Sequence, residues 1–284
     1  MKKRFAVLLL FFSAVLLMGY PYLANYVFEH ETASLVNSVE KIEEMTDDTE
    51  KEETKKSVKQ YNEKLFSNGV KLCDPFKEES KKISTEDYRG LLCVNSEGVM
   101  GTISIPAIGV KLPIYHGTSE KILEKGIGHL EGTSLPIGGE NTHTVLTGHT
   151  GLSNAKLFTD LTELEKGEVF FLNILGEQLV YQVDQIQKVL PSNLEELYIK
   201  KGKDYCTLVT CTPYGVNTER LLVRGHRVPY VEQEVADEKT PLSGISLHTN
   251  YLLWVIVGLA VTTIFILVLY LKEKKLQKKK NETS

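Results

Sequence analysis

The segment YCTLVTCTPYGVNTERLLVRGHR, residues 205–227, carries the strongest structural signal in this chain. Two runs rich in threonine, valine and leucine flank a short stretch that contains Pro213 and Gly215. Such runs, separated by turn residues, predict two β-strands joined as a hairpin. The hairpin would bring Cys211, which ends the first strand, and Arg220, which begins the second, to the same end of a sheet. A cation beside a cysteine favours the thiolate, which is the nucleophilic form of the side chain.

Similar β-like runs occur from about residue 98 onward. They read VMGTISI (99–105), VKLPIY (110–115), HTVLTGH (143–149), EVFFLNI (168–174) and QLVYQVDQIQKVL (178–190). Together with the hairpin they make seven or eight short strands, which favour a closed barrel or a sandwich over a parallel βαβ sheet. Short helical pieces are predicted at 119–124, 157–164 and 193–199.

The distribution of charge excludes some classes of function. The chain has 284 residues, with 33 Lys or Arg and 37 Asp or Glu. Basic residues cluster at the two ends, in 2–4 and 272–280, so the body between them is acidic. An acidic body excludes a basic nucleic-acid-binding domain, which needs clustered Lys and Arg. The 13 Tyr and 10 Phe exclude disorder of the bulk, and the 4 Cys are too few for a disulfide scaffold.

Two apolar segments predict membrane spans. Residues 5–28 carry no charged side chain, and residues 251–271 have no ionisable side chain except tyrosine. Each segment has about the 20 residues that cross a bilayer. A cleaved signal peptide is the alternative for the first segment, because a basic start and a short apolar core fit that as well. If both segments span, the basic ends stay in the cytoplasm and the middle of the chain lies outside.

A cysteine that transfers acyl groups also needs a proton donor, which is usually histidine. His149 is the best candidate of seven, because it follows the strand HTVLT and its flanking glycines allow the imidazole to be exposed. His226 is the alternative, since it shares one face of its strand with Arg220 and Arg224. The sequence contains neither a HExxH nor a CxxC motif, so no metal site is predicted.

Three motifs in order resemble those of the sortase family of Gram-positive cell surfaces. They are LTGHTG at 146–151, TLVTC at 207–211 and Arg220 within NTERLLVRG. The chain is most similar to the class C, pilus-assembling branch, in TCTPYGVNT, in its second membrane segment and in Asp74-Pro75-Phe76, which resembles the lid of that branch. Glu219 departs from the pattern, because many relatives have His at that position, and it adds a negative charge next to Arg220.

The resemblance implies a cysteine transpeptidase without a metal or organic cofactor. Cys211 would be the nucleophile that attacks the Thr-Gly carbonyl of a Leu-Pro-x-Thr-Gly-like sorting signal. His149 would be the general acid for the leaving amine, and Arg220 would stabilise the substrate or the oxyanion. A pilin lysine would then resolve the thioacyl intermediate, which would polymerise pili. In the lid, Asp74 would pair with Arg220 and Phe76 would cover Cys211, with Pro75 restricting the chain between them.

The implied fold is mainly β, a closed eight-stranded sortase-type barrel with short helices, an N-terminal helical and lid region, and a transmembrane helix at each end. The expected parts are a signal anchor (1–28), a helical region with the lid at 74–76 (29–97), the catalytic barrel (98–232), a linker (233–250), a transmembrane helix (251–271) and a basic cytoplasmic tail (272–284). Apolar residues on one face predict two helices in the second part: Leu35, Val39, Ile42 and Met45, then Val58, Tyr61 and Leu65.

The expected partners are pilins or other surface proteins with C-terminal sorting signals, together with the lipid bilayer, and not nucleic acid. Two alternatives stay open: a sortase that attaches proteins to cell-wall peptidoglycan, and a non-catalytic membrane-tethered scaffold. A Cys73–Cys93 disulfide is compatible with an oxidising exterior, but the sequence gives no distance between them. Cys206 should face away from Cys211, into the core, because five residues separate them on one strand.

Overall fold

The computed structural model describes residues 2–69, 72–77, 86–152, 155–229 and seven positions between 258 and 274. The chain forms two compact units, Met1–Leu23 with Leu242–Ser284, and Ala24–Pro241. The described residues of the first unit are helical. The second unit contains the β-strands and every predicted site residue.

Eight strands close into a barrel in the order β1-β2-β3-β4-β7-β8-β6-β5. Their bounds are Val99–Ile105 (β1), Val110–His116 (β2), Ile127–His129 (β3), Thr142–Thr147 (β4), Val169–Ile174 (β5), Glu177–Val189 (β6), Asp204–Thr212 (β7) and Glu219–Val228 (β8). The β2–β3 and β4–β7 pairs are parallel, and the other pairs are antiparallel. The predicted mainly-β, closed eight-stranded barrel is confirmed.

Seven of the eight strands coincide with predicted runs to within one or two residues, and β3 was missed. This strand has only three residues, Ile127–His129. Alternation cannot be recognised over so short a run. It forms because β2 and β4 pair with it on its two sides, which is a tertiary effect.

The helices are α1 (Lys2–Met45), α2 (Asp48–Asn68), α3 (Glu86–Arg89) and α4 (Glu120–Leu123). The Asp47 carboxylate caps α2 by accepting a hydrogen bond from the Thr49 N–H at 2.8 Å. Short 3-10 turns occupy Pro106–Ile108, Thr159–Glu163 and Glu195–Leu197. The three predicted helical pieces in the barrel region are therefore present, two of them as 3-10 turns.

The buried face of α1 agrees with the prediction only in part. Val39 is buried as predicted and Leu35 packs against its cluster, whereas Ile42 and Met45 are exposed by 41% and 76%. The other buried residues are Thr32, Val36 and Glu43. Apolar spacing alone could not identify Thr32 and Glu43, because both are polar. The Glu43 carboxylate accepts a hydrogen bond from the Leu175 N–H at 2.8 Å in the β5–β6 turn, and burial raises the pKa of Glu43 to about 7.

Two apolar clusters lie on the two faces of the strands that carry the site. Residues such as Leu146, Leu208 and Phe170 fill the barrel interior, and Cys206 lies among them as predicted. A second cluster covers the outer face of β4, β7 and β8. Its members are Leu72, Leu130, Val145, Leu197, Val209 and Leu222, with Phe76 packed against them. Strand alternation puts Leu208 inside and Val209 and Cys211 outside.

Across the described residues, no helix combines the length and the apolar content that a membrane crossing requires. The first predicted span belongs to α1. The linker at 233–250 and most of the second predicted span, 251–271, lie outside the described residues.

Candidate active site

Cys211 and Arg220 lie side by side on the outer face of the barrel, as paired residues of the antiparallel β7–β8 ladder. On the other side of β7, the Gly148 N–H donates to the Val209 carbonyl at 3.1 Å, just beyond the end of β4. This bond continues the parallel β4–β7 register and brings His149 beside Cys211. Neighbouring strands are about 4.8 Å apart, so the three residues span about 10 Å. We call Cys211, His149 and Arg220 the Cys-His-Arg row.

His226, the alternative histidine, lies in a different part of the sheet. Its Cα pairs with that of Tyr205, six residues before Cys211 on β7. At about 3.3 Å per residue, that separation is roughly 20 Å. The His226 ring is 3.9 Å from the Asp184 carboxylate, which also binds Arg224 in a bidentate pair at 2.9 and 3.1 Å. His226 therefore belongs to a separate cluster of ion pairs.

Two further histidines of the barrel are buried and serve packing. Burial lowers the pKa of His129 to about 3 and that of His143 to about 4. His129 contacts the Tyr88 hydroxyl at 2.9 Å, and His143 contacts the Thr207 hydroxyl at 2.7 Å. These two rings are neutral at physiological pH, and hydrogen bonds within the fold hold them.

Cys211 is only 9% exposed. Burial raises its pKa, because a thiolate loses solvation in the covered site. The Arg220 guanidinium opposes this rise, and the Asp74 carboxylate adds to it. The closed site therefore keeps the sulfur in its protonated, less reactive form.

A segment that precedes the barrel occupies the guanidinium of Arg220. The Asp74 carboxylate accepts from Arg220 Nε at 2.9 Å and from Nη2 at 2.8 Å, and both side chains are buried. The Nη1 atom donates to the Asn217 and Glu219 carbonyls at 3.1 and 3.0 Å. The predicted Asp74–Arg220 pair is thus present, and it occupies the Nε–Nη2 edge of the guanidinium.

Phe76 lies over the Cys-His-Arg row. Its ring centroid is 5.7 Å from that of His149 and 4.9 Å from the Arg220 Cζ. The sequence predicted that this ring covers Cys211, and the structure places it against His149 and Arg220, the two residues that flank Cys211. Pro75 lies in a turn in which the Lys77 N–H donates to the Asp74 carbonyl at 3.0 Å. The predicted lid, residues 74–76, therefore covers the row from outside.

Glu120 approaches His149, and the sequence did not indicate this contact. Glu120 Oε1 lies 3.2 Å from His149 Nε2, at ion-pair distance but without the alignment of a hydrogen bond. The sequence predicted a short helix at 119–124, which lies in the connection between β2 and β3. No local pattern indicated that this connection would reach the end of β4.

Three cysteines, Cys73, Cys93 and Cys206, lie outside the row. In the described part of the chain no cysteine forms a disulfide, so the Cys73–Cys93 disulfide left open by the sequence is not formed. Cys93 is exposed, whereas Cys206 is fully buried in the barrel interior.

Comparisons with known proteins agree with this geometry. The sortase domain model matches residues 103–228. Sortase C-1 from Streptococcus pneumoniae is 47% identical, with a TM-score of 0.65, over 70% of this chain and 100% of that one. Another Streptococcus pneumoniae sortase C structure, described with reference to pilin substrate specificity, is 45% identical, with a TM-score of 0.65, over 69% of this chain and 97% of that one. Sortase A of Bacillus anthracis is 28% identical over 221 residues, 78% of this chain and 92% of that protein.

Proposed function

This chain belongs to the sortase family, and we propose that it joins pilin subunits into covalent polymers. Sortases are cysteine transpeptidases, and the similar solved structures are class C enzymes. The observation that carries the proposal is the Cys-His-Arg row beneath a lid in which Asp74 binds Arg220. One of the similar structures is described with pilin substrate specificity, which supports pilin as the substrate class here.

We assign the chemistry to the three residues of the row. The Cys211 thiolate attacks the carbonyl carbon between Thr and Gly of the sorting signal, and a C–S bond forms. The C–N bond breaks as His149 donates a proton to the departing glycine amine. Arg220 donates hydrogen bonds to the carbonyl oxygen while that oxygen carries the negative charge of the tetrahedral intermediate. A pilin lysine amine then attacks the thioacyl carbon and gives up a proton to His149, and the thiolate leaves as the new amide forms.

The lid has to leave before the substrate can enter. Asp74 occupies the Nε and Nη2 donors of Arg220, and Phe76 lies beside His149. A peptide carbonyl that binds the Nε–Nη2 edge of Arg220 has to displace the Asp74 carboxylate. The lid therefore acts as an internal competitor whose position regulates access to Cys211.

We also propose that the chain is anchored in the membrane by spans within 1–28 and 251–271, with the barrel at 98–232 outside the cytoplasm. The sequence pattern and the basic ends support this topology. A membrane-impermeant thiol reagent should label the exposed Cys93 in intact cells. In a Ser284→Cys variant that lacks Cys93, the reagent should label position 284 only after the cells are permeabilised. Labelling of position 284 in intact cells would exclude a cytoplasmic C-terminus.

The direct test of function is polymerisation. The purified full chain, mixed with a pilin that carries a C-terminal sorting signal, should produce a ladder of covalent oligomers joined through lysine amides. Mass spectrometry of the junction identifies the amine that resolved the intermediate. Transfer to a cell-wall precursor amine instead would identify a wall-anchoring sortase. Absence of both products, with no thioacyl adduct on Cys211, would support the non-catalytic scaffold.

Opening the lid should increase the reactivity of Cys211. We expect Asp74→Ala and Phe76→Ala each to raise the labelling rate by a thiol-reactive sulfonate about tenfold or more, since each 1.4 kcal/mol lost from the closed state raises the open population about tenfold. Peptide-resolved mass spectrometry separates Cys211 from the exposed Cys93. Glu63→Ala, an exposed acidic position on α2, serves as the control. Unchanged labelling in both lid variants would contradict a closing role.

The pH dependence of labelling should shift as well. Burial and the Asp74 carboxylate both raise the pKa of the Cys211 thiol, so removing that carboxylate lowers the pKa. The midpoint of the labelling rate should therefore move to lower pH in Asp74→Ala. Asp74→Asn keeps the shape of the side chain without its charge and should move the midpoint in the same direction. A shift to higher pH, or none in either variant, would show that Asp74 does not act on the thiol.

A further inference from the structure

Thr147, the last residue of β4, carries a buried hydroxyl group that makes no hydrogen bond in this structure. The side chain is 0% exposed, and its Oγ1 has no hydrogen-bond partner among the described residues. Nearby buried threonines are satisfied: Thr210 donates to the Gly148 carbonyl at 2.8 Å, and Thr207 lies 2.7 Å from the His143 ring. Burying a hydroxyl without a partner is costly, so the unpaired hydroxyl of Thr147 requires an explanation.

Strand alternation places this hydroxyl on the outer face of the barrel. Gly148 faces inward, where an added Cβ would meet the core residues Ile127 and Phe158. Val145 belongs to the outer cluster beneath the lid. Thr147, two residues after Val145, therefore faces outward like Val145 and like His149.

The strand register places Thr147 next to the Cys-His-Arg row. Its Cα pairs with that of Val209, which in turn pairs with Leu222. These three residues form the adjacent row, about 6.6 Å along the strands from Cys211. Val209 and Leu222 are apolar, so Thr147 supplies the polar group of this row.

The outer cluster and the lid lie on the same face of the sheet as Thr147. Leu72 belongs to this cluster together with Val145 and Val209, which neighbour Thr147 on β4 and β7, and Phe76 packs against the cluster. Leucine and phenylalanine side chains exclude water without offering a hydrogen bond, so they cannot satisfy a hydroxyl on this face. Departure of the lid would open this face to a peptide.

We propose that the Thr147 hydroxyl forms a hydrogen bond with the main chain of the sorting signal, beside the bond that Cys211 cleaves. An extended peptide on this face presents N–H and C=O groups, and a threonine hydroxyl can both donate and accept. A fixed contact one row from the sulfur positions the scissile carbonyl for attack. The role rests on the proposed function, and it makes Thr147 a substrate-binding residue that the lid keeps unsatisfied until the substrate arrives.

The test compares Thr147→Val, which keeps the shape, with Thr147→Ser, which keeps the hydroxyl. Both are made in the full chain with Asp74→Ala, so that lid opening does not limit the rate. We expect Thr147→Val to lower kcat/KM for a fluorogenic sorting-signal peptide about five- to tenfold, and Thr147→Ser to stay within about twofold. The Tm of Thr147→Val should be unchanged or higher, because an unpaired buried hydroxyl is removed.

Thr210→Val is the matched control, since its buried hydroxyl is paired and its removal should lower the Tm. Three outcomes would overturn the proposal: full activity in Thr147→Val, equal losses in the valine and serine variants, or a loss that accompanies a lowered Tm. If the Asp74→Ala parent forms no thioacyl adduct with the peptide, the proposed function fails first and the role of Thr147 fails with it.

Discussion

Cys211→Ala abolishes cleavage of a sorting-signal peptide and formation of pilin ladders, with an expected loss of at least about 10⁴-fold in kcat/KM. In the proposed mechanism the Cys211 sulfur forms the thioacyl bond, and Cys211 is the residue that pairs with Arg220 in the β7–β8 ladder. Cys211→Ser should lose nearly as much, because a hydroxyl at this position is a far weaker nucleophile than a thiolate. Mass spectrometry of the protein after incubation with peptide detects the adduct directly.

Cys206→Ala is the control for this result. Cys206 lies on the same strand, but its side chain is in the barrel interior and fully buried. We expect this variant to lose stability, because a buried group is removed, and to retain cleavage per folded molecule. Cleavage by Cys211→Ala at a rate close to that of the wild type would refute the assigned nucleophile.

Arg220→Lys and Arg220→Ala should each lower kcat/KM by about 10²- to 10³-fold, the range seen when one donor to a developing oxyanion is lost. Lysine retains the charge but cannot reproduce the paired, planar donors that now bind Asp74 through Nε and Nη2. Loss of the guanidinium also removes the group that opposes the raised pKa of the Cys211 thiol, so less thiolate forms at a given pH.

Arg224→Ala is the matched control for Arg220. It changes an arginine on the same strand and face, but one that pairs with Asp184 away from the row. We expect it to keep most of the cleavage activity. Wild-type kcat/KM in Arg220→Lys, or an equal loss in Arg224→Ala, would show that the position of Arg220 has no special role.

The two candidate histidines show what a local sequence pattern can and cannot predict about the site. The residues alone left His149 and His226 as alternatives, because each follows or lies on a strand of suitable character. The β4–β7 pairing separates them, since it brings His149 beside Cys211 and leaves His226 beside Tyr205. The β4–β7 pairing joins strands that are far apart in the chain. The six residues of β4 contain no pattern that identifies β7 as the parallel partner.

The lid and α1 illustrate the same limit. The Asp74–Arg220 pair joins residues 146 positions apart. It was predicted together with the resemblance to the class C lid, and not from any local pattern around residue 74. The buried face of α1 was predicted only in part, because Glu43 and Thr32 are polar residues that the tertiary packing buries beside Val39. In both cases the missing information is the identity of the surface that comes to lie opposite.

The sequence by itself determined seven of the eight strands and the hairpin that joins Cys211 to Arg220, because alternation and turn residues act over a few positions of the chain. Only the tertiary structure decided that His149 completes the row, that Phe76 lies against its two flanking members, and that Thr147 is left without a partner. Barrel closure brings distant strands together, and the environment of a side chain depends on residues that no local pattern identifies.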